Sequence, residues 1–266
     1  MLSNFHTHCT FCDGKNTPEE VVQSALEKGF SALGFSSHGY SGFDLRYCLK
    51  DTQGYIDEIR RLKEKYEKDI QIYVGVEEES FGQVNRGDFD YIIGSSHYLQ
   101  KAGKYYPVDS NLDCFQKCFD VFDGDVIALS ESYYQAFCSY ILNRKPDIVG
   151  HFDLVTKFDE VGNFGILENK DYQKIAAKYA AEAVRSGCIF EVNTGAISRN
   201  VRTAPYPSEA LLHILKKANT RLILSSDSHQ ADTLDFGFED AKLLLKDVGF
   251  KELYTLYNGE FIPYKI

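Results

Sequence analysis

Residues 70–77 read IQIYVGVE, a run of mainly apolar, β-branched and aromatic side chains that ends on the carboxylate of Glu77. A run of this length and composition is typical of a buried strand. Six more short apolar runs recur along the chain, each followed by a polar residue, at 2–5, 32–35, 91–94, 147–150, 189–192 and 222–224. The sequence therefore predicts seven strands, each with a polar side chain at its carboxyl end.

Helical patterns separate these strands. The clearest begins at Thr17-Pro18-Glu19-Glu20, which combines a capping box with proline at the first helical position. Further apolar stripes with helical spacing lie at 55–66, 176–184, 211–215 and 238–248. Because repeated strand–helix units favour parallel pairing, we expect an α/β fold in which the strands form a barrel.

Two segments break this alternation. Residues 99–144 begin with a polar, tyrosine-bearing stretch and continue with two helical patterns, so we interpret them as an insertion or a long connection over one end of the barrel. In the tail, 252–266, two short apolar runs around Asn258-Gly259 predict a β-hairpin. We expect residues 1–266 to form one domain, since α/β barrels commonly exceed the usual domain length.

The composition limits the classes of function. Lys and Arg number 29 and Asp and Glu 39, so the net charge is −10, and hydrophobic residues make up 44%. Binding to a phosphate backbone requires clustered basic residues, so nucleic acid is not expected as a partner. No apolar run approaches the roughly 20 residues that span a bilayer, and the first residues lack the pattern of a signal peptide. We therefore expect a cytoplasmic protein without a membrane partner; the sequence does not indicate its oligomeric state.

The seven cysteines are irregularly spaced, which is typical of reduced thiols. Cys9 and Cys12 form a CxxC motif, for which a redox or zinc-ribbon site is an alternative interpretation. The chain has no second CxxC and no thioredoxin-like pattern around this one, and both observations disfavour that interpretation.

Six of the seven histidines and three acidic residues lie at or just beyond the ends of the predicted strands. Because the carboxyl ends of barrel strands converge on one face, we expect these nine side chains to surround one site. They are His6, His8, Asp13, His38, Glu77, His97, His151, Asp227 and His229. Imidazoles combined with carboxylates favour Zn, Mn or Fe. The run Glu77-Glu78-Glu79 would ordinarily be a solvated charge run, but its position directly after a strand favours a ligand.

These motifs, in this order, resemble the PHP (polymerase and histidinol phosphatase) family. They are His-x-His with Asp13, Ser-x-His-Gly, Gly-Val-Glu, Gly-Ser-x-His, Gly-His-x-Asp and Asp-x-His. The resemblance implies a distorted (β/α)7 barrel with a trinuclear metal centre at the carboxyl ends of its strands. It implies one ion on His6, His8, Glu77 and Asp227, a second on Glu77, His97 and His151, and a third on Asp13, His38 and His229. Many relatives have a histidine where this chain has Asp13 and an acidic residue where it has Asn4; neither difference lowers the number of ligands.

The length, the inserted segment and the motif Glu191-Val192-Asn193-Thr194-Gly195 are most similar to stand-alone histidinol-phosphate phosphatases. This similarity implies a phosphomonoesterase that converts L-histidinol phosphate to L-histidinol and phosphate with two to three divalent ions, Zn, Mn or Fe. Such ions lower the pKa of bound water towards ~7 and neutralise phosphoryl oxygens.

Further roles are predicted from position. Glu77 and Asp227 are expected to act in catalysis, and Asp153, Asp227 or a metal-bound water to protonate the leaving group. For the phosphate we predict His38 and three cations, first Arg199 because of its planar fork and then Arg202 and Lys157. We predict substrate selection in the inserted region, by Tyr98, Tyr105, Tyr106, Tyr134 and Glu131.

Two alternative functions stay open. One is a phosphoesterase or nuclease that acts on nucleotides, which the net charge of −10 disfavours. The other is a non-catalytic zinc-binding regulatory module, which the size of the cluster disfavours because structural zinc sites are closed by four ligands.

Overall fold

Seven parallel strands form the centre of the structure and correspond to the seven apolar runs. The computed structural model describes residues 1–266, and its strands are β1 (Ser3–Asn4), β2 (Ala32–Phe35), β3 (Gln71–Glu79), β4 (Tyr91–Ser95), β5 (Tyr98–Lys101), β6 (Lys104–Pro107), β7 (Ile148–Val149), β8 (Ile189–Asn193), β9 (Leu222–Ser225), β10 (Glu252–Tyr257) and β11 (Glu260–Lys265). The main sheet has the order β1-β2-β3-β4-β7-β8-β9-β10-β11. Within this sheet, each pair of neighbouring strands from β1 to β10 is parallel, which confirms the predicted α/β class.

The segments that follow β1 and β9 pair with each other and close the seven strands into a ring. Thr7 and Ser228 form a parallel bridge. The backbone N–H of His8 donates to the carbonyl oxygen of Ser228 at 2.8 Å, and the N–H of Ser228 donates to that of His6 at 3.1 Å. This closure makes the sheet a barrel and brings residues from the two ends of the chain to one mouth.

Tyr91 fills much of the ring interior. Its hydroxyl donates to the carbonyl oxygens of Phe5, at 2.6 Å, and of Phe35, at 3.2 Å. A Cβ atom on Gly34 would lie 2.3 Å from the Tyr91 hydroxyl oxygen, and one on Gly75 would lie 2.2 Å from the ring. Glycine at these two positions therefore makes room for a tyrosine that links three strands.

The helices surround the ring and pack their apolar faces on it. They are α1 (Pro18–Glu27), α2 (Thr52–Lys65), α3 (Leu112–Val121), α4 (Val126–Arg144), α5 (Asp159–Gly162), α6 (Lys170–Ala183), α7 (Gly195–Ser198), α8 (Glu209–Lys217) and α9 (Phe238–Val248). The capping box of α1 forms as predicted, with the Thr17 hydroxyl accepting from the Glu20 N–H and the Glu20 carboxylate accepting from the Thr17 N–H. None of these helices combines the length and the apolar character needed to traverse a bilayer.

Residues 98–107 form an antiparallel hairpin, β5–β6, that we had interpreted only as a polar connection. Its turn residues Ala102 and Gly103 have positive φ angles of 51° and 76°, which suit a two-residue hairpin turn. The two predicted helical segments follow as α3 and α4. The dipeptide Ala-Gly is a weaker turn signal than Asn-Gly, which explains why the sequence pattern did not predict the hairpin.

The tail forms a second hairpin, β10–β11, around Asn258 and Gly259, whose φ angles are 51° and 80°. Its first strand pairs in parallel with β9 through Tyr254 and Ile223. The hairpin therefore extends the sheet beyond the ring on the side of the seventh barrel strand.

Candidate metal centre

All nine side chains that we predicted as metal ligands meet at the carboxyl mouth of the ring. Their nitrogen and oxygen atoms form four overlapping groups, and the atoms within each group lie within 4.8 Å of one another. The groups are His6 with His8 and Asp227, His6 with Glu77 and His151, His38 with Glu77 and His97, and His8 with Asp13, His38 and His229. Overlap between the groups makes them one continuous cluster.

Glu77, near the carboxyl end of strand β3, lies at the middle of this cluster and is 1% exposed. Its Oε1 atom is 3.0 Å from Nε2 of His151 and 3.2 Å from Nε2 of His97. Its Oε2 atom is 2.9 Å from Nδ1 of His38 and 3.2 Å from Nε2 of His6. Each carboxylate oxygen faces a different pair of imidazoles, which is the arrangement needed to bridge two cations.

Asp13 meets three imidazoles on the solvent side of the mouth. Its Oδ1 atom lies 3.4 Å from Nε2 of His229, 3.6 Å from Nε2 of His38 and 3.8 Å from Nδ1 of His8. The Asp13 side chain is 36% exposed, in contrast to the buried Glu77. This part of the cluster is therefore the most accessible from solvent.

Asp227, just beyond β9, contacts both the imidazoles and a cation. Its φ angle is 47°, which is uncommon for a residue other than glycine. Oδ1 lies 3.2 Å from Nε2 of His8 and 3.6 Å from Nε2 of His6. Arg199 donates from Nη2 to Oδ2 at 2.9 Å and from Nη1 to the Asp227 carbonyl oxygen at 3.0 Å. One guanidinium therefore holds both the side chain and the backbone of this residue.

Several buried nitrogen and oxygen atoms that could bind a metal have no hydrogen-bond partner. Nε2 of His6, Nε2 of His8 and Oε2 of Glu77 are all inaccessible to solvent and make no hydrogen bond. Unpaired buried polar atoms are costly, whereas a cation between them would accept their lone pairs. Imidazole nitrogens and carboxylate oxygens together suit Zn, Mn or Fe. The residues present fit divalent cations at this position.

The pKa values of the imidazoles differ according to their neighbours. Burial disfavours charge on His6, but the carboxylates around it, first Glu191 and then Glu77, outweigh burial and raise its pKa well above 6.5. His8 behaves in the opposite way, because burial and the neighbouring imidazole of His229 lower its pKa to about 3. The pKa values of the two histidines of the His-x-His motif are therefore shifted in opposite directions.

The two buried carboxylates of the cluster keep their negative charge. Burial opposes ionisation of Glu77, but the imidazoles of His6 and His97 outweigh it and hold its pKa well below 4.5. Burial likewise opposes ionisation of Asp227, and the guanidinium of Arg199 is the largest of the charges that hold its pKa well below 3.8. Both side chains are available as anionic ligands at neutral pH.

The run Glu77-Glu78-Glu79 is buried rather than solvated. Successive strand residues face opposite sides, so Glu77 and Glu79 share the mouth side of β3. Oε2 of Glu79 accepts the backbone N–H of His97 at 2.8 Å and lies 3.0 Å from its Nδ1. Glu78 faces away and is bound by two nitrogens of Arg144 at 2.8 and 2.9 Å. Because alternate residues of a strand lie on the same side, the position of Glu77 could have predicted that of Glu79, to which our sequence analysis assigned no role.

Glu191 is a second carboxylate beside the cluster to which we had assigned no role. It lies in β8, and its Oε1 is 2.6 Å from Nδ1 of His6. Its Oε2 accepts the backbone N–H of His151 at 2.9 Å. The available signal was a charged residue inside an otherwise largely apolar strand, where an unpaired charge would be costly.

A cavity of about 380 Å³ opens above the cluster. Two of the predicted phosphate-binding cations, Arg199 and Lys157, line it, as does His38. The Lys157 ammonium donates to the carbonyl oxygen of Asp109 at 2.7 Å and lies 3.3 Å from its carboxylate. The cavity is therefore lined both by residues of the cluster and by the positive charges of Arg199 and Lys157.

Arg202 and Asp153 lie outside the lining of this cavity. Arg202 is 4% exposed, donates to Oγ1 of Thr156 at 2.8 Å and stacks 4.3 Å over the ring of Tyr206. Asp153 is completely buried and accepts the backbone N–H of Ser208 at 2.9 Å. Both follow strand ends in the sequence, but tertiary packing directs their side chains into the protein, away from the predicted phosphate and leaving group.

Three of the residues predicted for substrate selection make their contacts elsewhere in the protein. Tyr105 stacks on Phe43 with ring centroids 4.0 Å apart. Tyr134 is buried, with its hydroxyl 2.9 Å from that of Tyr172. Glu131 lies 2.9 Å from Lys178, on the outer surface of α4. None of the three lines the cavity.

Tyr98 is the one predicted tyrosine that lines the cavity, and Tyr106 instead packs against the hydrophobic core. Tyr47, from the connection between β2 and α2, lines the cavity beside Tyr98. Its place there depends on how residues 39–50 fold over the mouth, which no local sequence pattern predicted.

The CxxC cysteines lie next to the cluster. Cys9 is buried, and Sγ of Cys12 is 3.5 Å from Nδ1 of His8. Burial raises the pKa of Cys12 to about 12, so its thiol stays protonated. None of the four donor groups includes a cysteine, which agrees with our preference for a site of imidazoles and carboxylates.

The match to known families covers most of the chain. Residues 4–195 match the PHP domain. The chain belongs to the PHP domain family. The matched range of this PHP chain includes seven of the nine clustered residues, whereas Asp227 and His229 lie beyond it and reach the cluster through the ring closure.

A protein of Schizosaccharomyces pombe named "Probable histidinol-phosphatase" is 26% identical to this PHP chain over 97% of the chain and 90% of the relative. A crystal structure of a Listeria monocytogenes protein has a TM-score of 0.80 at 19% identity, covering 90% of this chain and 99% of that one. The structure of histidinol phosphate phosphatase from Lactococcus lactis, complexed with zinc, L-histidinol and phosphate, has a TM-score of 0.72 at 20% identity, covering 98% of both chains. These structures share the fold of the PHP chain, a distorted TIM-like barrel.

Proposed function

We propose that this chain is a metal-dependent phosphomonoesterase that hydrolyses L-histidinol phosphate to L-histidinol and phosphate. The observation that carries the proposal is the buried carboxylate of Glu77, whose two oxygens face different pairs of imidazoles at 2.9–3.2 Å beneath an open cavity. The zinc, L-histidinol and phosphate in the Lactococcus lactis relative support the choice of substrate.

The nine clustered side chains would hold up to three cations. We assign the first to His6, His8, Glu77 and Asp227, the second to Glu77, His97 and His151, and the third to Asp13, His38 and His229. The groups that contain His6, His8 and Asp227, and His8, Asp13, His38 and His229, support the first and third ions. The contacts of Glu77 Oε1 with His97 at 3.2 Å and His151 at 3.0 Å support the second ion. Zn, Mn and Fe are the metals that this donor set favours.

When bound, divalent cations supply a water of lowered pKa and neutralise the oxygens of a phosphoryl group. The protein orients that group. Arg199 lines the cavity with its side chain 31% exposed, and it holds Asp227 with one N–H each of Nη1 and Nη2, so another N–H of these nitrogens can reach a phosphate oxygen. Lys157 adds a second positive charge at the cavity wall, and His38 faces the same space. Arg202 is a weaker candidate because it is buried behind Tyr206.

For proton transfer we favour Asp227 over Asp153. The carboxylate of Asp227 lines the cavity, whereas that of Asp153 lies outside the lining and accepts a hydrogen bond from the protein backbone. The ionised carboxylate of Asp227 can accept a hydrogen bond from the attacking water and relay its proton to the leaving alcohol. Burial opposes its ionisation, but Arg199 and the imidazoles hold its pKa well below 3.8, which favours release of that proton over its retention.

The part of the cavity wall outside the cluster suits a cationic, aromatic alcohol. Tyr47 and Tyr98 present aromatic surface, and Asp44 and Asp109 present carboxylates. An imidazole ring can stack on the tyrosines and an ammonium group can pair with a carboxylate. Of the residues first predicted for selectivity, Tyr98 therefore has the strongest support.

We also propose that residues 1–266 act as one domain. The seventh barrel strand, β9, and its ligands Asp227 and His229 follow residue 195, yet they pair with the segment after β1. A fragment that ended at residue 195 would lack the strand that closes the ring and two of the nine ligands.

The test is a turnover screen of purified protein against phosphorylated metabolites, with metal analysis of the same sample. L-histidinol phosphate is expected to give the highest kcat/KM, and the protein is expected to contain bound Zn, Mn or Fe. A mononucleotide that turns over faster than L-histidinol phosphate would overturn the substrate assignment. Metal-loaded protein with no phosphatase activity would support a regulatory module instead.

A further inference from the structure

Glu191 connects two residues of the cluster from outside it. Its side chain is 1% exposed and lies in β8, between β7, which precedes His151, and β9, which precedes Asp227. One oxygen is 2.6 Å from Nδ1 of His6 and the other accepts the backbone N–H of His151 at 2.9 Å. His6 and His151 belong to opposite parts of the ring, so this carboxylate spans its interior.

The contacts of Glu191 require two anionic oxygens. Besides the two contacts with the histidines, Oε2 accepts an N–H from the side-chain amide of Asn193 at 3.0 Å. All these partners can act as donors, and a carboxylate can accept from all of them. A glutamine side chain has one oxygen, so its NH₂ group would face either the backbone N–H of His151 or Nδ1 of His6. In the second case it would require the His6 proton to move to Nε2, so an amide of the same size does not reproduce the contacts of the carboxylate.

We propose that Glu191 is a positioning residue for the metal centre, which fixes the ring of His6 by its Nδ1 and the backbone of His151 by its N–H. The proposal rests on the metal binding proposed above. When His6 is neutral and binds a cation, a proton held on Nδ1 would leave the lone pair of Nε2 free for that ion. In this structure Nε2 faces Glu77 and Asp227 and has no hydrogen-bond partner. Carboxylate partners of metal-bound histidines orient the ring and raise its basicity.

Zinc affinity of the Glu191→Gln variant tests this role without any substrate. Metal-free protein is titrated with Zn²⁺ against a competing chelator, and circular dichroism verifies that each variant is folded. Loss of such a partner typically weakens metal binding by about 10–100-fold. We expect a loss of this size for at least one zinc ion in Glu191→Gln.

The matched control is Glu78→Gln. Glu78 is equally buried but binds Arg144 and Tyr140 instead of residues of the cluster. We expect its zinc affinity to stay within about threefold of that of the unmodified protein, even if it unfolds at a lower temperature. Zinc affinity of Glu191→Gln within the same threefold, or an equal loss in both variants, would overturn the proposal. Because no substrate is used, a wrong substrate assignment would leave this result unaffected.

A measurement on the unmodified protein covers the case in which Glu191→Gln does not fold. In zinc-loaded protein with ¹⁵N-labelled histidine, long-range ¹H–¹⁵N spectra report which ring nitrogen carries the proton. We expect His6 to be protonated at Nδ1 and metal-bound at Nε2. Protonation of His6 at Nε2, or no proton at Nδ1, would reject the role of Glu191 as its partner.

Discussion

The guanidinium of Arg199 holds Asp227 through two contacts, one to the carboxylate at 2.9 Å and one to the backbone carbonyl oxygen at 3.0 Å. Arg199 ends the short helix α7 that follows strand β8, and Asp227 lies just after β9, so the pair joins the segments beyond two neighbouring strands at the mouth of the barrel.

The Arg199→Lys variant is expected to lower kcat/KM for L-histidinol phosphate by about 100-fold, with little change in Tm. Lysine keeps the charge but cannot hold Asp227 at two points and also reach a phosphate oxygen. Arg202→Lys is the comparison, because Arg202 packs on Tyr206 outside the cavity. It should lower Tm and leave kcat/KM within about threefold; a larger kinetic loss in Arg202→Lys than in Arg199→Lys would reverse our assignment of the phosphate-binding cation.

Replacing Glu77 by glutamine should reduce kcat by on the order of 10³-fold, because an amide removes the charge that faces both pairs of imidazoles. Metal content of the purified variant should fall as well. The control is His213→Gln on helix α8, since His213 is more than half exposed and far from the cluster. Steady-state kinetics and elemental analysis of the two variants provide the test, and equal losses would mean that the cluster has been misidentified.

Removal of metal is expected to abolish activity and lower Tm. A cation that binds only the folded state stabilises it by an amount that grows with the logarithm of its concentration, about 2.7 kcal/mol at 100 times Kd. Dialysis against a chelator followed by addition of Zn, Mn or Fe should restore both activity and Tm. Full turnover by protein that contains no metal would contradict the proposed chemistry.

The stability of the metal-free protein should decrease as the pH rises above about 6.5. Burial opposes charge on His6, His38 and His97, yet Glu77 and the other carboxylates raise the pKa of all three. A raised pKa in the folded state stabilises the protein fully below the unfolded value of 6.5, and this contribution is lost as the pH passes the folded pKa. The lowered pKa of His8 has no effect in this range because His8 is neutral in both states.

Metal binding has the opposite pH dependence, since these imidazoles must lose their protons to bind a cation. The increase in Tm on addition of zinc should therefore be larger at pH 8 than at pH 6. Thermal unfolding with chelator and with zinc across this range measures the difference. An increase that shrinks with rising pH would show that the imidazoles are not protonated in the metal-free protein.

Gly34→Ala should destabilise the fold by about 1–3 kcal/mol, because its Cβ would lie 2.3 Å from the hydroxyl oxygen of Tyr91 in the ring interior. Gly87→Ala is the control, since its nearest neighbouring atom would be 3.8 Å away. Urea unfolding of the two variants gives both free energies. Equal free energies of unfolding for the two variants would show that the barrel interior can accommodate a methyl group beside Tyr91, contrary to the structure.

Local sequence patterns predict much of this architecture. The seven apolar runs, the capping box at Thr17 and the turn at Asn258-Gly259 all form where periodicity and turn chemistry predict them. The nine residues that we propose as ligands were identifiable for a related reason: each lies at or beyond the carboxyl end of a strand, and the carboxyl ends of parallel strands converge whatever lies between them. Strand position is a local property, so it can be inferred without knowing the packing.

The contacts made by side chains away from the strand ends depend on packing between distant segments. Arg199 and Arg202 are three residues apart and similar in sequence context, yet one lines the cavity and the other stacks on Tyr206. Tyr134 points into the core, whereas Tyr47 reaches the cavity because residues 39–50 fold over the mouth. Glu191 reaches His6 only because the ring closes and leaves a single strand, β9, between β8 and β1. Periodicity along the chain identifies which residues form the barrel, but the direction of a loop side chain results from contacts with segments that are far away in sequence.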